Sequence, residues 1–213
     1  MAKHLVWDWN GTLLDDLWLV VAATNATLAS AAGPTVTADE HRRDFRRPVS
    51  TYYAHVLGRP VDEAEFAGLD RVFHEVYRSG LAGCGLAADA AAALSAWPGT
   101  QSLLSMFFHD DLVPVIEEYG LSTHFVRVDG LRHGVGGGPK AEHLVAHLEA
   151  VGVDGGDSVL IGDSVDDAEA AAAVGAGCVL YTGGFTDPQR LCAVGVPVAD
   201  SLTDAVRLAG QRW

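Results

Sequence analysis

The second half of the chain alternates between short apolar runs and helical patterns, and no other feature of the sequence constrains the fold as much. Runs rich in β-forming residues predict strands at Leu5–Trp7, Gln101–Met106, Phe125–Val128, Ser158–Ile161 and Cys178–Tyr181. Helical patterns lie between or after the later strands, at Asp111–Tyr119, Ala141–Val151, Asp166–Val174 and Leu202–Leu208. The run Ser158–Ile161 is apolar after its first residue, which is typical of a strand buried on both faces. This alternation predicts an α/β domain with a parallel sheet.

A block of about 70 residues interrupts this pattern after the first strand and contains no clear strand of its own. Its helical patterns cover Leu17–Ala32, Ala38–Arg47, Val49–Leu57, Asp62–Arg78 and Ala88–Trp97. Thr37 is suited to an N-cap, and Pro48 to a first helical position. We therefore predict an α/β core formed by residues 1–16 and 97–213, with a helical insertion at residues 17–96.

The charge balance excludes some partners. A formal net charge of −14 argues against binding to nucleic acid or to an anionic membrane through bulk charge, so any anion site has to be built locally.

The three cysteines form no CxxC motif, which favours a reducing compartment. The N-terminal residues have no long apolar core, and no apolar run approaches membrane-spanning length. We expect a soluble cytoplasmic protein that is a monomer or a homodimer.

The first strand runs into the segment Trp7-Asp-Trp-Asn-Gly-Thr-Leu-Leu-Asp-Asp16. Asn10-Gly11 is a strong hairpin signal, but a helical pattern follows it where a hairpin requires a second strand. The alternative places Asp8 at the carboxyl end of a parallel strand, where open α/β sheets bind ligands. Gly11 would then allow the backbone to approach an anion closely, and Thr12 would offer a hydroxyl group.

Three later segments carry further polar side chains that suit the same site. Ser105 ends the second predicted core strand, Lys140 opens a helix after a glycine-rich stretch, and an acid cluster with Asp163 and Asp167 follows the strand Ser158–Ile161. A nucleotide-binding P-loop is excluded at Gly134–Lys140, because Pro139 has no N–H group and Ala141 cannot bind Mg²⁺.

In this order the four motifs resemble those of the haloacid dehalogenase superfamily, whose members are mostly Mg²⁺-dependent phosphatases. The resemblance covers nearly the whole chain and is greatest to the phosphoglycolate phosphatase-like branch. It implies a doubly wound, Rossmann-like α/β core, and the helical insertion resembles the cap of that superfamily. The implied reaction is hydrolysis of a small phosphorylated metabolite, a phosphomonoester, through an aspartyl-phosphate.

The resemblance also implies a role for each motif residue. Asp8 is the nucleophile, and Ser105 and Lys140 hold the phosphate together with the backbone at Gly11 and Thr12. The Mg²⁺ ligands are Asp8, the main-chain carbonyl of Asn10, Asp163 and Asp167. Each residue also has a purely structural alternative: Asp8 and Ser105 as strand-end residues, Lys140 as an exposed lysine, and the acids of the last motif, Asp166 above all, as helix caps.

Two further features leave alternatives open. Arg42, Arg43, Arg46 and Arg47 form a basic cluster on a predicted helix, either as a solvated face or with Arg43 and Arg47 contacting a substrate anion from the cap. His109, after the second motif, is either an exposed residue at a helix start or part of the substrate entrance.

Asn10 departs from the phosphatase pattern, which has an acid two residues after the nucleophile. That acid protonates the leaving oxygen and then activates water, and an amide does neither. We expect faster hydrolysis of acyl or aryl phosphates than of alkyl phosphates, with alkyl turnover raised at least about tenfold by Asn10→Asp. His109 as a substitute acid, cleavage of a carbon–halogen or carbon–phosphorus bond, and a non-catalytic phosphate sensor remain alternatives. An imine-forming phosphonate hydrolase is disfavoured, because no lysine lies between Lys3 and Lys140.

Overall fold

The computed structural model describes residues 3–132 and 139–213. Eight strands are present in this part of the chain: β1 His4–Trp7, β2 Leu14–Asp15, β3 Gly85–Leu86, β4 Thr100–Phe108, β5 Arg127–Leu131, β6 Ser158–Gly162, β7 Gly177–Tyr181 and β8 Val198–Ala199. Six of them form a sheet in the order β5-β4-β1-β6-β7-β8, and every neighbouring pair is parallel. Strands β2 and β3 form a separate antiparallel ribbon.

The helices of the described residues are α1 Leu17–Ser30, α2 Ala38–Asp44, α3 Val49–Leu57, α4 Glu63–Gly80, α5 Ala90–Ala96, α6 His109–Glu118, α7 Ala141–Val151, α8 Val165–Val174, α9 Pro188–Ala193 and α10 Leu202–Arg212. The predicted bounds of α7 are confirmed. Helix α9, strand β8 and the β2–β3 ribbon had no counterpart in the sequence prediction, and β5 lies a few residues later than predicted. These short elements carry too few residues for a periodic pattern to identify them.

The central sheet is covered by helices on both faces, as predicted. Leu5 and Trp7 of β1 pack into one buried cluster with side chains of α5, α6 and α10, whereas Val6 packs into a second cluster with α7 and α8. Side chains alternate between the two faces of a strand, so both faces of the central strand are buried. This arrangement is the doubly wound α/β architecture.

The register of the central strands determines where the site forms. Trp7, the last residue of β1, lies beside Leu103 of β4 and Ile161 of β6. Because the strands are parallel, the residues that follow all three positions meet at one edge of the sheet. That edge brings together Asp8, Ser105 and Asp163.

The insertion consists largely of α1 to α4 and contains a buried cluster of its own, formed by Leu28, Tyr52, Tyr53 and Leu69. Its ends meet at the ribbon, where Leu14 pairs with Leu86. The expectation that the insertion contains no strand was therefore wrong at β3. Helix α5 packs against α10 of the core, and we propose that the cap begins and ends at the ribbon.

Helix α2 is shorter than predicted. It starts after Thr37, whose side chain accepts a hydrogen bond from the Glu40 N–H in a capping box, so this N-cap is confirmed. It ends at Asp44 and not at Arg47, because a residue that precedes a proline is driven away from the helical conformation, and Pro48 follows. Pro48 itself is the N-cap of α3 and not its first helical residue.

Among the described residues, no helix combines the length and the apolar character needed to cross a membrane.

Candidate active site

Three buried carboxylates converge at the carboxyl edge of the sheet. Asp8 directly follows β1, Asp163 directly follows β6, and Asp167 lies in the first turn of α8. Oxygen atoms of the three carboxylates lie within 4.8 Å of one another. A cluster of this kind binds a cation readily, because carboxylate oxygens are the ligands that Mg²⁺ prefers.

Lys140 is the cation of this cluster. Its Nζ donates hydrogen bonds to Asp8 Oδ1 at 2.5 Å and to Asp167 Oδ1 at 2.6 Å, and its side chain is 2% exposed. Lys140 is the N-cap residue of α7, so the helix start fixes where its side chain enters the site. The alternative in which it is an exposed lysine is wrong. The glycine-rich residues 134–138 that precede it lie outside the described residues.

Neighbouring donors hold the carboxylates in position. Thr12 Oγ1 lies 3.2 Å from Asp163 Oδ1 and 3.5 Å from Asp8 Oδ2, so this hydroxyl bridges two acids. The backbone N–H of Phe185 donates to Asp163 Oδ2 at 2.6 Å. Gly11 has a φ of +71°, and a Cβ at this position would lie 2.7 Å from Asp163 Oδ2. Glycine is therefore required here both for its backbone conformation and for the close approach of Asp163.

The pKa values of these acids reflect their confinement. Burial raises the pKa of Asp8 to about 6 against the opposing effect of Lys140. Burial and the charges of Asp8 and Asp167 raise the pKa of Asp163 well above its ordinary value. Burial acts in the same direction on Asp167, but Lys140 and Ser164 outweigh it and hold the pKa of Asp167 below its ordinary value. Burial would lower the pKa of Lys140, yet the two acids raise it. With one cation for three acids, the cluster favours binding of a further cation.

Asn10 belongs to a second polar network beside this cluster. Its amide nitrogen donates to Asp16 Oδ2 at 3.0 Å and lies 2.7 Å from the Tyr77 hydroxyl, while its Oδ1 accepts from Ser105 Oγ at 3.1 Å. Asp16 is fully buried and also accepts from the Tyr77 hydroxyl at 2.6 Å and from the Gly11 N–H at 2.8 Å. The Gly11 N–H, expected to face a phosphate, is thus bonded to Asp16.

Asp16 and Tyr77 were not predicted as part of the site. Asp16 immediately precedes α1, which is the position of a helix cap, yet its side chain makes no capping hydrogen bond. Burial raises its pKa to about 6, opposed by hydrogen bonds from Tyr77 and Asn10. The sequence does not reveal that the Asp16 side chain makes no capping hydrogen bond. Nor does anything near Tyr77 indicate a partner 61 residues earlier in the chain.

Ser105 lies in different surroundings from those expected, whereas His109 is half-buried at a helix start, which was one of its two predicted positions. Strand β4 continues to Phe108, so Ser105 lies inside the strand and not at its end, at an irregular stretch of the pairing with β5. It remains buried beside Asn10. His109 is the first residue of α6, and its Nδ1 accepts a hydrogen bond from the Gly130 N–H. It lines neither the cavity around Asp8 and Lys140 nor the neighbouring cavity that is lined by rings of the cap and the core.

The predicted arginine pair is separated, because α2 ends before Arg47. Arg43 is an exposed side chain that contacts Asp44 and lines neither of the two cavities at the site. Arg47 lines both and lies 3.4 Å from Asp166. The remaining arginines bind backbone: Arg42 donates to the Gly184 carbonyl at 2.9 Å and Arg46 to the Asp44 carbonyl at 2.8 Å.

In helix α8 the capping role predicted for the acids holds for Asp167 and not for Asp166. Ser164 is the N-cap, and its side chain accepts from the Asp167 N–H while Asp167 accepts from the Ser164 N–H. Asp166, predicted as the capping acid, instead accepts from the Lys140 N–H at 3.2 Å and faces Arg47. Asp166 thereby contacts both Arg47 of the cap and the backbone of Lys140.

Two neighbouring cavities that share lining residues lie between the cap and the sheet. The first, called here the central cavity, has a volume of about 40 Å³ and is lined by Asp8, Lys140, Asp163 and Asp167. The second, the aromatic chamber, has a volume of about 100 Å³ and is lined mainly by ring side chains, most of which come from the cap. Asn10, Phe45, Arg47, Met106 and Phe185 line both of them.

Comparisons with known proteins agree with this geometry. The family model described as haloacid dehalogenase-like hydrolase matches residues 2–175. A phosphoglycolate phosphatase of Caulobacter vibrioides is 28% identical over 200 residues, covering 86% of this chain and 80% of the relative. A crystal structure of a predicted phosphatase from Clostridium acetobutylicum superposes with a TM-score of 0.83 at 16% identity, covering 99% of each chain. A predicted phosphoglycolate phosphatase from Haemophilus somnus gives 0.76 at 17% identity, covering 97% of each chain.

The parallel sheet, the acid cluster at its carboxyl edge and the matching family model define an enzyme of the hydrolase class. More particularly, the chain belongs to the haloacid dehalogenase-like hydrolase family, and it is homologous to phosphoglycolate phosphatase. The family resemblance drawn from the four sequence motifs is thereby confirmed.

Proposed function

We propose that this protein is a Mg²⁺-dependent phosphatase that hydrolyses a small phosphomonoester through an aspartyl-phosphate on Asp8. The observation that carries the proposal is the buried contact between Asp8 and Lys140, 2.5 Å long, inside a cluster of three acids. The phosphatase names of the relative and of two structural neighbours support a phosphomonoester as substrate.

The residues present fit a Mg²⁺ ion. Oxygen atoms of Asp8, Asp163 and Asp167 lie close enough to share one cation, and the cluster has fewer positive than negative charges. We propose these three acids and the main-chain carbonyl of Asn10 as the ligands. When bound, Mg²⁺ offsets the negative charge between the carboxylate and the phosphate.

The chain's own residues would perform the remaining steps. An Asp8 oxygen attacks phosphorus, a P–O bond forms, and the bond to the alcohol oxygen of the ester breaks. Lys140, which already contacts Asp8, stabilises the charge that develops on the equatorial phosphate oxygens. A water molecule then attacks the same phosphorus, which releases inorganic phosphate and restores the Asp8 carboxylate. Closure of the cap over Asp8 keeps bulk water out of the first step.

Two protons have to move in this scheme, one to the alcohol oxygen that leaves and one from the attacking water. Asn10 can transfer neither of them. Its amide has no proton to give at neutral pH, so the alcohol oxygen has to leave without a general acid from this position. We therefore propose a phosphatase that favours substrates with good leaving groups, such as acyl and aryl phosphates.

The test is turnover of an aryl phosphate with Mg²⁺ by the wild type, by Asp8→Asn and by Asp15→Asn. Asp15 is an exposed acid in β2, seven residues from the nucleophile, and makes a matched control. Asp8→Asn is expected to abolish turnover while the protein stays folded, and Asp15→Asn to retain it. Wild-type turnover in a folded Asp8→Asn protein would refute the role of Asp8.

A further inference from the structure

The aromatic chamber lies where the alcohol portion of a bound phosphomonoester would extend. It adjoins the central cavity, and Asn10, Phe45 and Phe185 line both spaces. The alcohol portion of a phosphate ester held at Asp8 and Lys140 can therefore extend into this chamber. The chemistry of this chamber determines which alcohol portions fit.

The chamber walls are predominantly aromatic. The rings of Phe73 and Tyr77 stack with centroids 5.8 Å apart, Tyr77 meets Phe107 edge-on at 5.3 Å, and Phe45 meets Tyr52 edge-on at 5.5 Å. Rings that brace one another in this way form a stiff apolar surface. Such a surface binds a flat ring better than it binds a short polar chain.

Two buried nitrogen atoms in the chamber lining have no hydrogen-bond partner in the described residues. These are His41 Nε2 on α2 and His74 Nδ1 on α4, in side chains that are 1% and 8% exposed. A buried polar atom without a partner is destabilising, so such atoms are rare unless a ligand or water satisfies them. Both histidines use their other ring nitrogen within the protein, His41 towards Tyr52 and His74 towards Asp70.

The charges of the chamber are balanced. Burial, with a contribution from Arg42, lowers the pKa of His41 to about 4, so its ring is neutral at pH 7. The other charged side chains of the described lining are Arg47 and Asp70, which are of opposite sign, and Arg47 also faces Asp166. The lining thus holds no surplus of positive charge with which to bind a second anionic group. An uncharged alcohol portion suits it better than a carboxylate.

The volume of the chamber limits the size of its occupant. At about 100 Å³ it is somewhat smaller than the cavity of about 150 Å³ that accommodates benzene in an engineered protein. A single ring can enter with small side-chain adjustments, whereas a fused pair of rings cannot.

We propose that the aromatic chamber is a subsite for an uncharged, single-ring alcohol portion of the substrate, with a polar atom at the ring edge that bonds to His41 or His74. This inference rests on the proposed phosphatase function and specifies its substrate class. The ring portion lies against the aromatic walls, and its edge meets the two histidine nitrogens.

The experiment compares substrates whose leaving groups are all alkyl alcohols, so that leaving-group chemistry does not imitate recognition. The probes are benzyl phosphate, 3-hydroxybenzyl phosphate, n-propyl phosphate and 2-phosphoglycolate. We expect kcat/KM for benzyl phosphate to exceed that for n-propyl phosphate at least about tenfold, since each additional buried CH₂-sized group contributes roughly fourfold. The hydroxybenzyl ester is expected to exceed the benzyl ester by a further factor of about five or more.

Variants test the contribution of the histidine nitrogens separately from that of the aromatic rings. His41→Phe and His74→Phe each keep a ring in the wall and remove one nitrogen, so at least one of them should abolish the preference for hydroxybenzyl over benzyl, and both should retain the preference for benzyl over propyl. His55→Phe, an exposed position on α3 of the same cap, should change neither ratio. Because His74→Phe also loses the Asp70 contact, its fold is checked by thermal unfolding, and the substrate ratios of the wild type test the subsite independently.

Binding of unreactive analogues distinguishes the failure of this inference from the failure of the proposed function. Benzylphosphonate is expected to bind to the wild type at least about tenfold more tightly than n-propylphosphonate by calorimetry, with or without turnover of any ester. If no phosphate ester is hydrolysed but this difference in binding is present, the phosphatase proposal fails and the subsite stands. If esters are hydrolysed with equal kcat/KM for benzyl, propyl and glycolate groups, the subsite is refuted and the phosphatase proposal stands.

Discussion

Exchanging Asn10 and Asp16 provides a sharp test of how the site works. The sequence alone leads to the expectation that Asn10→Asp restores a general acid. In the structure, however, the Asn10 amide nitrogen lies 3.0 Å from Asp16 Oδ2. A carboxylate at residue 10 would therefore face the buried carboxylate of Asp16 at hydrogen-bonding distance, and one of the two would have to keep a proton.

The size of this penalty follows from the distance. Two unit charges about 3 Å apart repel by about 5.5 kcal/mol at an effective dielectric constant of about 20. Keeping one carboxyl protonated at pH 7 costs about 1.4 kcal/mol for each pH unit above its unfolded pKa of about 4, or about 4 kcal/mol in total. The pair therefore takes up a proton, and Asn10→Asp is expected to be about 4 kcal/mol less stable than the wild type at pH 7.

The pH dependence of this loss has a definite sign. A carboxyl group whose folded pKa is raised binds more protons in the folded state than in the unfolded state, so stability falls as pH rises from the unfolded towards the folded pKa. The stability of Asn10→Asp relative to the wild type should thus fall between about pH 4 and pH 7 and recover in acid.

The double variant Asn10→Asp/Asp16→Asn removes the conflict while keeping the net charge and the shape of the pair. Ser105 and Tyr77 already point hydroxyl groups at this pair, and the amide introduced at position 16 can donate to the carboxylate introduced at position 10. We expect stability within about 1 kcal/mol of the wild type, as for other buried pairs whose hydrogen bonds are all satisfied. Turnover of an alkyl phosphate should rise at least about tenfold above the wild type, and aryl turnover less.

The assay is urea unfolding from pH 4 to pH 8, together with kcat for one aryl and one alkyl phosphate with Mg²⁺, for the wild type, both single variants and the double variant. If Asn10→Asp alone is as stable and as active as the double variant, Asp16 does not restrain residue 10 and the reasoning from this contact is wrong.

Three further predictions concern the metal, the glycine and the arginines. Mg²⁺ at about 100 times its dissociation constant should stabilise the wild type by about 2.7 kcal/mol in thermal unfolding, and Asp163→Asn should lose most of this gain; equal gains would exclude Asp163 as a ligand. Gly11→Ala should lose more stability than Gly58→Ala, because both have positive φ but only Gly11 has Asp163 Oδ2 at 2.7 Å from an added Cβ, and equal losses in urea unfolding would contradict this. Arg47→Ala should raise KM for the preferred phosphate ester at least about fivefold while Arg43→Ala leaves it unchanged, because only Arg47 lines the cavities, and an equal effect would show that the exposed cluster binds substrate.

The sequence by itself determined the core architecture and the acids at its edge. Asp8 and Asp163 were predictable because each directly follows an apolar strand, and the carboxyl ends of parallel strands meet at one edge. Lys140 was predictable from its place at the start of a helix within the ordered set of motifs. These signals are local, since a strand or helix pattern and the residue that ends it lie within a few positions of each other.

The arginine cluster shows what local sequence patterns could not predict. A helical pattern placed Arg43 and Arg47 one turn apart, but the chain leaves the helix before Pro48, and only Arg47 turns towards the acids. The exit direction of a chain after a helix depends on what the next element packs against, and here α3 packs through Tyr52 and Tyr53 on α1 and α4 inside the cap.

Only the tertiary structure decided the surroundings of Asn10. Asp16 meets Tyr77 across 61 positions, and His41 and His74 come from different helices of the cap to line one chamber. Nothing in the periodicity around these residues specifies such contacts, because periodicity fixes which face of a helix is buried and not which helix covers it. The packing of the cap on the sheet creates the chamber and turns Asp16 from a helix cap into the partner of Asn10.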